Sequence, residues 1–415
     1  MYKHIIDDSW DYKTANTKEF THCYHMYPAI MIPQVARRLI TDFAPSGKLD
    51  LLFDPYMGSG TSLVEASLKG INSIGTDINP LARLISKAKT THYEVSEIIK
   101  VTDEICKQFT SFKTSLVDNT NFDRISNHQF WYSEDNLYKL SYISQIINEY
   151  AFLQTIEFFN ICLSETVREV SYTRNNEFKR YRIAREKIHS FKPDVFETFK
   201  SKLSRNIAGL IKYNNKCANT VKAAVCEFNS TDGIPQNIIS DDSVDMIVTS
   251  PPYGDSHTTV AYGQFSRWAN EWFDFENAKN LDNLLMGGKK SMIEIFETDC
   301  IREQINQIKD IDIKRYYEVV AFLNDYYQSI KHIANKVRHG GRVCYVVGNR
   351  TVKKVQISLD LFTAETFERF GFRHDITYVR AIPNKRMPSR NSPTNQTGAT
   401  VNTMNNEYIV ILTKL

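Results

Sequence analysis

Two hydrophobic patterns alternate along the chain. Short apolar runs that stop at a turn residue have the length of buried strands, and the first covers residues 48–54, ending in Phe53-Asp54-Pro55. A glycine-rich turn, YMGSGTS, follows at once. Residues 61–69 then place Leu63, Val64 and Leu68 at helical spacing and close at Gly70, and 71–76 read as a second strand ending at Asp77. Together these predict a β-α-β unit of parallel type. From about 94 to 216 the pattern changes to helix-compatible sequence rich in Lys, Glu, Asn, Phe and Tyr, with Pro193 its single proline. Strand-like runs resume at 221–228, 244–249, 342–348, 372–382 and 407–415, with a helical segment over about 265–338. The expected organisation is an α/β domain in two parts, 1–93 and 217–415, interrupted by a helical insertion at 94–216.

The length of 415 residues, with 42% hydrophobic and 24% charged positions, fits a globular chain of two or three folding units and excludes wholesale disorder. No apolar stretch approaches the ~18–20 residues of a membrane span, and the polar N-terminus does not resemble a signal peptide. A soluble cytoplasmic protein is expected. The seven cysteines form no CxxC pair and no zinc spacing, so reduced thiols and no metal site are expected. Net charge is only +3, so any basic nucleic-acid surface must be local.

The first candidate site is the turn Asp54-Pro55-Tyr56-Met57-Gly58-Ser59-Gly60-Thr61. Two glycines between a strand and a helix let the backbone approach a ligand that a side chain would block. The helix end behind them suits a phosphate or a carboxylate. Asp77, at the end of the next strand, is placed to accept hydrogen bonds from both hydroxyls of a ribose. Other nucleotide sites fit less well. No lysine follows the glycines, as a phosphate loop of the NTPases requires, and Leu63 stands where a dinucleotide fingerprint has its third glycine.

The second candidate is Ser250-Pro251-Pro252-Tyr253, at the end of the run 244–249. Two prolines fix φ and remove two N–H donors, which leaves rigid acceptors. Ser250 Oγ and the Pro251 carbonyl can each accept a hydrogen from one exocyclic amino group, and Tyr253 offers a face for a planar base. Two acceptors on one amino group hold its lone pair out of conjugation with the ring. An aromatic amine is a poor nucleophile until that happens.

DPYMGSGT, TDINP and TSPPYG together resemble the S-adenosylmethionine-dependent DNA methyltransferases of restriction–modification systems that modify cytosine N4 or adenine N6. The resemblance covers about 1–90 and 221–415 and implies a Rossmann-like class I methyltransferase fold of about seven strands, the last antiparallel. It assigns the cofactor loop to Asp54, Pro55, Gly58, Ser59, Gly60 and Thr61, the ribose-binding acid to Asp77, and the catalytic tetrad to Ser250, Pro251, Pro252 and Tyr253. The segment from His25 through Pro28 to Pro33 is similar to the family motif that closes over the methionine end of the cofactor. Where the family often has Asp before the tetrad, this chain reads Glu227-Phe228-Asn229-Ser230, which puts Asn229 at the adenine-ring contact. The chain also departs in order, with the cofactor loop ahead of the tetrad.

Serine at 250 resembles the cytosine-N4 enzymes, whereas adenine-N6 enzymes more often carry Asp or Asn there. No cysteine follows a proline, which argues against cytosine-C5 chemistry. A target in double-stranded DNA must be flipped out to reach such a pocket. Residues 171–216 hold 12 Lys or Arg against 4 Asp or Glu, with aromatics interleaved, and Lys179, Arg180, Arg182 and Arg185 are the candidate DNA contacts. Lys385, Arg386 and Arg390 form a second basic stretch. Tyr262, Arg267 and Trp268 are candidates for either the base pocket or an aromatic core. Rival expectations are the same chemistry on adenine or RNA, an idle nucleic-acid-binding protein, and a nicotinamide oxidoreductase. A separate cognate restriction endonuclease is the partner the resemblance implies.

Overall fold

A computed structural model describes residues 2–175, 177–255, 259–382, 390–391, 401–402 and 405–415. The strands are β1 His4–Ile6, β2 Leu51–Asp54, β3 Asn72–Thr76, β4 Ala223–Cys226, β5 Val244–Thr249, β6 Val337–Val347, β7 Thr351–Val352, β8 Val355–Gln356, β9 Phe372–Ala381, β10 Arg390–Asn391, β11 Val401–Asn402 and β12 Asn406–Lys414. An 8-stranded sheet has the order β4-β3-β2-β5-β6-β12-β9-β1. Every neighbouring pair in it is parallel except those of β12, which runs antiparallel to β6 and β9. This is the expected Rossmann-like class I arrangement, with one correction. The sheet has eight strands rather than seven, because β1 adds itself parallel to β9 as an edge. Three residues with an exposed–intermediate–exposed pattern give no strand signal of their own.

Alternation along the central strands divides the sheet's apolar residues between two layers. Leu52, Met246, Val248, Cys344 and Val346 face one side, where the helix Pro33–Asp42 covers them with Val35, Ala36, Leu39 and Ile40. Phe53, Ile247, Val343, Tyr345 and Val347 face the other, under the helices Ile313–Ala334 and Leu359–Arg369.

The 94–216 region is mainly helical: Val95–Gln108, Glu134–Tyr150, Ile156–Glu169 and Val195–Asn214. Ser133 and Asp194 cap two of these by accepting the N–H of Asn136 (3.2 Å) and Glu197 (3.1 Å). Their apolar faces share one core with Tyr24, with Leu81 and Ile85 of the helix Pro80–Thr90, and with Trp268 of the helix Tyr262–Trp272. The helices of 94–216 therefore share a continuous core with helices on both sides of them in sequence. Among the described residues no helix is long and apolar enough to cross a membrane, and no His/Cys/Asp/Glu group is placed to hold a metal.

Candidate active site

β2 and β5 are parallel neighbours, but the chain leaves β2 toward β3 on one side and β5 toward β6 on the other. A crevice opens at the carboxyl ends of strands at such a reversal. Both sequence motifs sit there. β2 delivers Asp54 and the glycine turn, while β5 delivers Thr249 and the tetrad. Thr249 Oγ1 donates to Asp54 Oδ1 across 2.5 Å, and Asp54 also accepts the Tyr56 N–H at 3.1 Å. Burial pushes the Asp54 carboxyl up to about 6.

The turn is shaped by left-handed Gly58 (φ +47°) and Gly60 (φ +74°). A Cβ at Gly60 would stand 2.8 Å from Ser86 Oγ, so only glycine fits this packing. Ser86 Oγ donates to the Gly58 carbonyl (2.8 Å) and buried Lys89 Nζ to the Ser59 carbonyl (3.0 Å). Desolvation lowers Lys89 to about 8. Two side chains thus hold the turn from behind. In front of it, Asp77 accepts the N–H groups of Gly58 (3.1 Å) and Asn79 (2.8 Å), one on each oxygen. Each oxygen keeps a lone pair to spare, and burial lifts this carboxyl too to about 6.

The cavity in front of these groups encloses about 880 Å³ including its open mouth. Phe228 and Asn229 border it beyond β4, Tyr27 and Pro28 lie across from the turn, and Tyr262, Leu285 and Met286 form another wall. Ser250 and Pro252 reach the same cavity. Thr61, at the start of the helix Thr61–Leu68, is one of the lining residues, and its Oγ1 is buried without a hydrogen-bond partner in the protein.

A family model described as DNA methylase matches residues 2–88. Over almost its whole length the chain is similar to the type II methyltransferase M.MvaI of Kocuria varians, 39% identical over 424 aligned residues that cover 96% of this chain and 92% of the relative. The chain belongs to the type II DNA methyltransferases. It is an amino-methylating enzyme of the N4/N6 class that acts on DNA with S-adenosylmethionine as methyl donor. The type II methyltransferase M.BsoBI of Geobacillus stearothermophilus is 22% identical over 389 residues, covering 86% of this chain and 69% of that one. Among solved structures, the rRNA methyltransferase aviRa of Streptomyces viridochromogenes aligns over 94% of this chain and 88% of its own at 8% identity, with a TM-score of 0.33.

The methyltransferase's cavity suits its donor. A nucleoside end needs a ribose acceptor and a flat apolar contact, which Asp77 and Phe228 would provide from the cavity wall, and a free carboxylate would suit the helix start at Thr61. Of the sequence-assigned cofactor residues, Pro28, Asp54, Pro55, Gly58, Ser59, Thr61, Asp77 and Asn229 line this cavity, whereas His25 and Gly60 do not. Gly60 acts through the shape of the turn. His25 is buried beside Phe265, with Nδ1 donating to the Met26 carbonyl at 2.5 Å, and burial lowers it to about 4. It is a neutral packing residue that fixes the segment leading to Tyr27 and Pro28.

Within the tetrad, Pro251 is buried and Tyr253 turns away from the cavity into a small apolar pocket with Val319, Phe322 and Leu323. Its hydroxyl lies 3.1 Å from Ser250 Oγ and donates to Glu407 Oε1 at 3.1 Å. Sequence reasoning gave no hint of Glu407, which lies 154 positions away and arrives on β12. Tyr262 does line the cavity, but Trp268 is fully buried with its indole N–H on Thr173 (2.9 Å), and Arg267 pairs with Glu271 at 2.5 Å. Tyr27, Phe228, Leu285 and Met286 were also not singled out by their sequence pattern.

The basic candidates divide. Arg180 lies over Trp268 (4.8 Å) and Trp131 (5.8 Å), and Arg182 over Phe130 (3.9 Å) and Tyr172 (5.3 Å), so both are committed to aromatic packing. Arg185 is exposed and Lys179 half-buried. Lys385 and Arg386 lie outside the described residues, as does the side chain of Arg390.

Proposed function

We propose that this methyltransferase modifies cytosine N4 in a specific double-stranded DNA sequence, with the target base flipped into the cavity. Ser250 at the cavity wall carries the reading. It presents a neutral hydroxyl where a carboxylate would otherwise meet the amino group. In this reading Ser250 Oγ and the Pro251 carbonyl accept the two amino hydrogens, Pro252 keeps the segment rigid, and the nitrogen lone pair is left pointing at the donor. S-adenosylmethionine would supply a methyl group on an electrophilic sulfonium: the amino nitrogen gains the N–C bond as the C–S bond breaks, the neutral thioether leaves, and the extra proton on nitrogen passes to solvent water. Asp77 binds the ribose and the glycine turn admits the backbone close to the donor. Alignment of the two reactants supplies most of the acceleration.

In this reading Tyr253 serves through its hydroxyl beside Ser250 Oγ and not as a stacking face for the base. The 94–216 insertion is the proposed target-recognition region, with Lys179 and Arg185 on phosphates, and a separate restriction endonuclease is the proposed biological counterpart. Nucleosides from DNA methylated by the enzyme, separated by mass, decide the base. N4-methylcytosine is expected, and N6-methyladenine as the product would overturn the cytosine assignment.

A further inference from the structure

A chain of three side chains leads from the cavity wall to a cross-strand ion pair. Ser250 Oγ is 3.1 Å from Tyr253 Oη, Tyr253 Oη is 3.1 Å from Glu407 Oε1, and Glu407 Oε2 is 2.6 Å from Arg380 Nη1. Glu407 on β12 and Arg380 on β9 stand directly opposite each other in the antiparallel register. Arg380 is itself almost fully buried and also reaches the Asp11 carbonyl, so Glu407 is held by a fixed partner.

The direction of the hydrogen bonds follows from the end of the chain. An ion-paired carboxylate only accepts, so the single Tyr253 proton points to Glu407. Burial, with Glu407 beside it, holds the Tyr253 phenol well above its ordinary value and therefore protonated. Tyr253 Oη then has only lone pairs to offer Ser250, so the Ser250 hydroxyl proton points outward to tyrosine. The lone pairs of Ser250 are left for the cavity. A free serine rotates between donating and accepting, and a donating hydroxyl would meet the amino hydrogens head-on.

We infer that Glu407 is a positioning residue of this enzyme: acting through the Tyr253 hydroxyl, it fixes Ser250 as a hydrogen-bond acceptor toward the target amino group. The inference rests on the assignment of Ser250 to the amino group but not on the choice of cytosine, since either exocyclic amine needs the same acceptor. It also gives a physical account of how serine serves where a carboxylate would be an acceptor by nature.

Tyr253→Phe keeps the ring and leaves the Glu407–Arg380 pair, and Glu407→Gln keeps the shape while allowing the chain to reverse. Each is expected to lower the single-turnover rate at saturating donor and DNA by about 10-fold, with dissociation constants for both within about twofold of wild type. The double variant is expected to be no slower than the slower single one, because either change cuts the same chain. A wild-type rate in Tyr253→Phe, or a double variant whose losses multiply, would overturn the inference. Should Glu407→Gln fail to fold, Tyr253→Phe alone still decides it. Because the rate is read on whichever amine the wild type methylates, a product other than N4-methylcytosine would touch the cytosine reading and leave this test intact.

Discussion

Asp54 and Thr249 terminate neighbouring parallel strands and are joined by a 2.5 Å hydrogen bond from the threonine hydroxyl to the buried carboxyl. The bond locks the start of the cofactor turn to the start of the tetrad. Thr249→Val keeps the shape but leaves Asp54 short of a buried partner, a loss of about 1–3 kcal/mol. A urea midpoint lowered accordingly, together with weaker donor binding, is the expected result; an unmoved midpoint would mean the latch is dispensable.

Asp77 sets a pH dependence. Burial raises its carboxyl to about 6, so it is ionised and able to accept ribose hydroxyls above that pH and protonated below it. Donor affinity measured by calorimetry should be level above pH 6 and fall by up to about tenfold per pH unit below it. His25, lowered to about 4, stays neutral through this window. In Asp77→Asn the affinity should be weak throughout, with only the residual pH dependence of Asp54, which titrates near the same value.

Gly60→Ala tests the turn. The substitution forces a side chain into the left-handed region at φ +74° and against Ser86 Oγ, which would be 2.8 Å away. A cost of about 1–3 kcal/mol is expected, read as a lower melting temperature, with donor affinity reduced in step.

The basic residues of the insertion should separate in a salt titration. Reversing Lys179 and Arg185 should flatten the slope of log binding constant against log salt by about 0.9 for each phosphate no longer neutralised. Arg180→Ala and Arg182→Ala should chiefly lower stability, since their guanidinium groups lie on Trp268 and Phe130. Equal slope changes from all four would contradict the division.

What was legible in the sequence was local. The strands at β2, β3 and β5, the glycine turn and the prolines after Thr249 each announce themselves within about ten residues, because burial on both faces and restricted φ leave direct marks on composition. The cavity-lining position of Asp77 was legible because it follows its strand directly. β1 was not, since three half-exposed residues become a strand only by pairing with β9. Nor was the outward turn of Tyr253, which depends on the register that brings Glu407 opposite Arg380. The basic count over 171–216 could not tell an arginine stacked on tryptophan, as Arg180 is, from one facing solvent.

The glycine turn and the tetrad meet at one cavity, where Ser250 is proposed to act on the amino group and not on the donor. The rate of methyl transfer by Ser250→Ala, measured beside its calorimetric affinity for S-adenosylmethionine, tests this most directly. A single-turnover rate lower by about 100-fold or more is expected, with donor affinity within about twofold of wild type. A wild-type rate, or a donor affinity that falls as far as the rate, would contradict it.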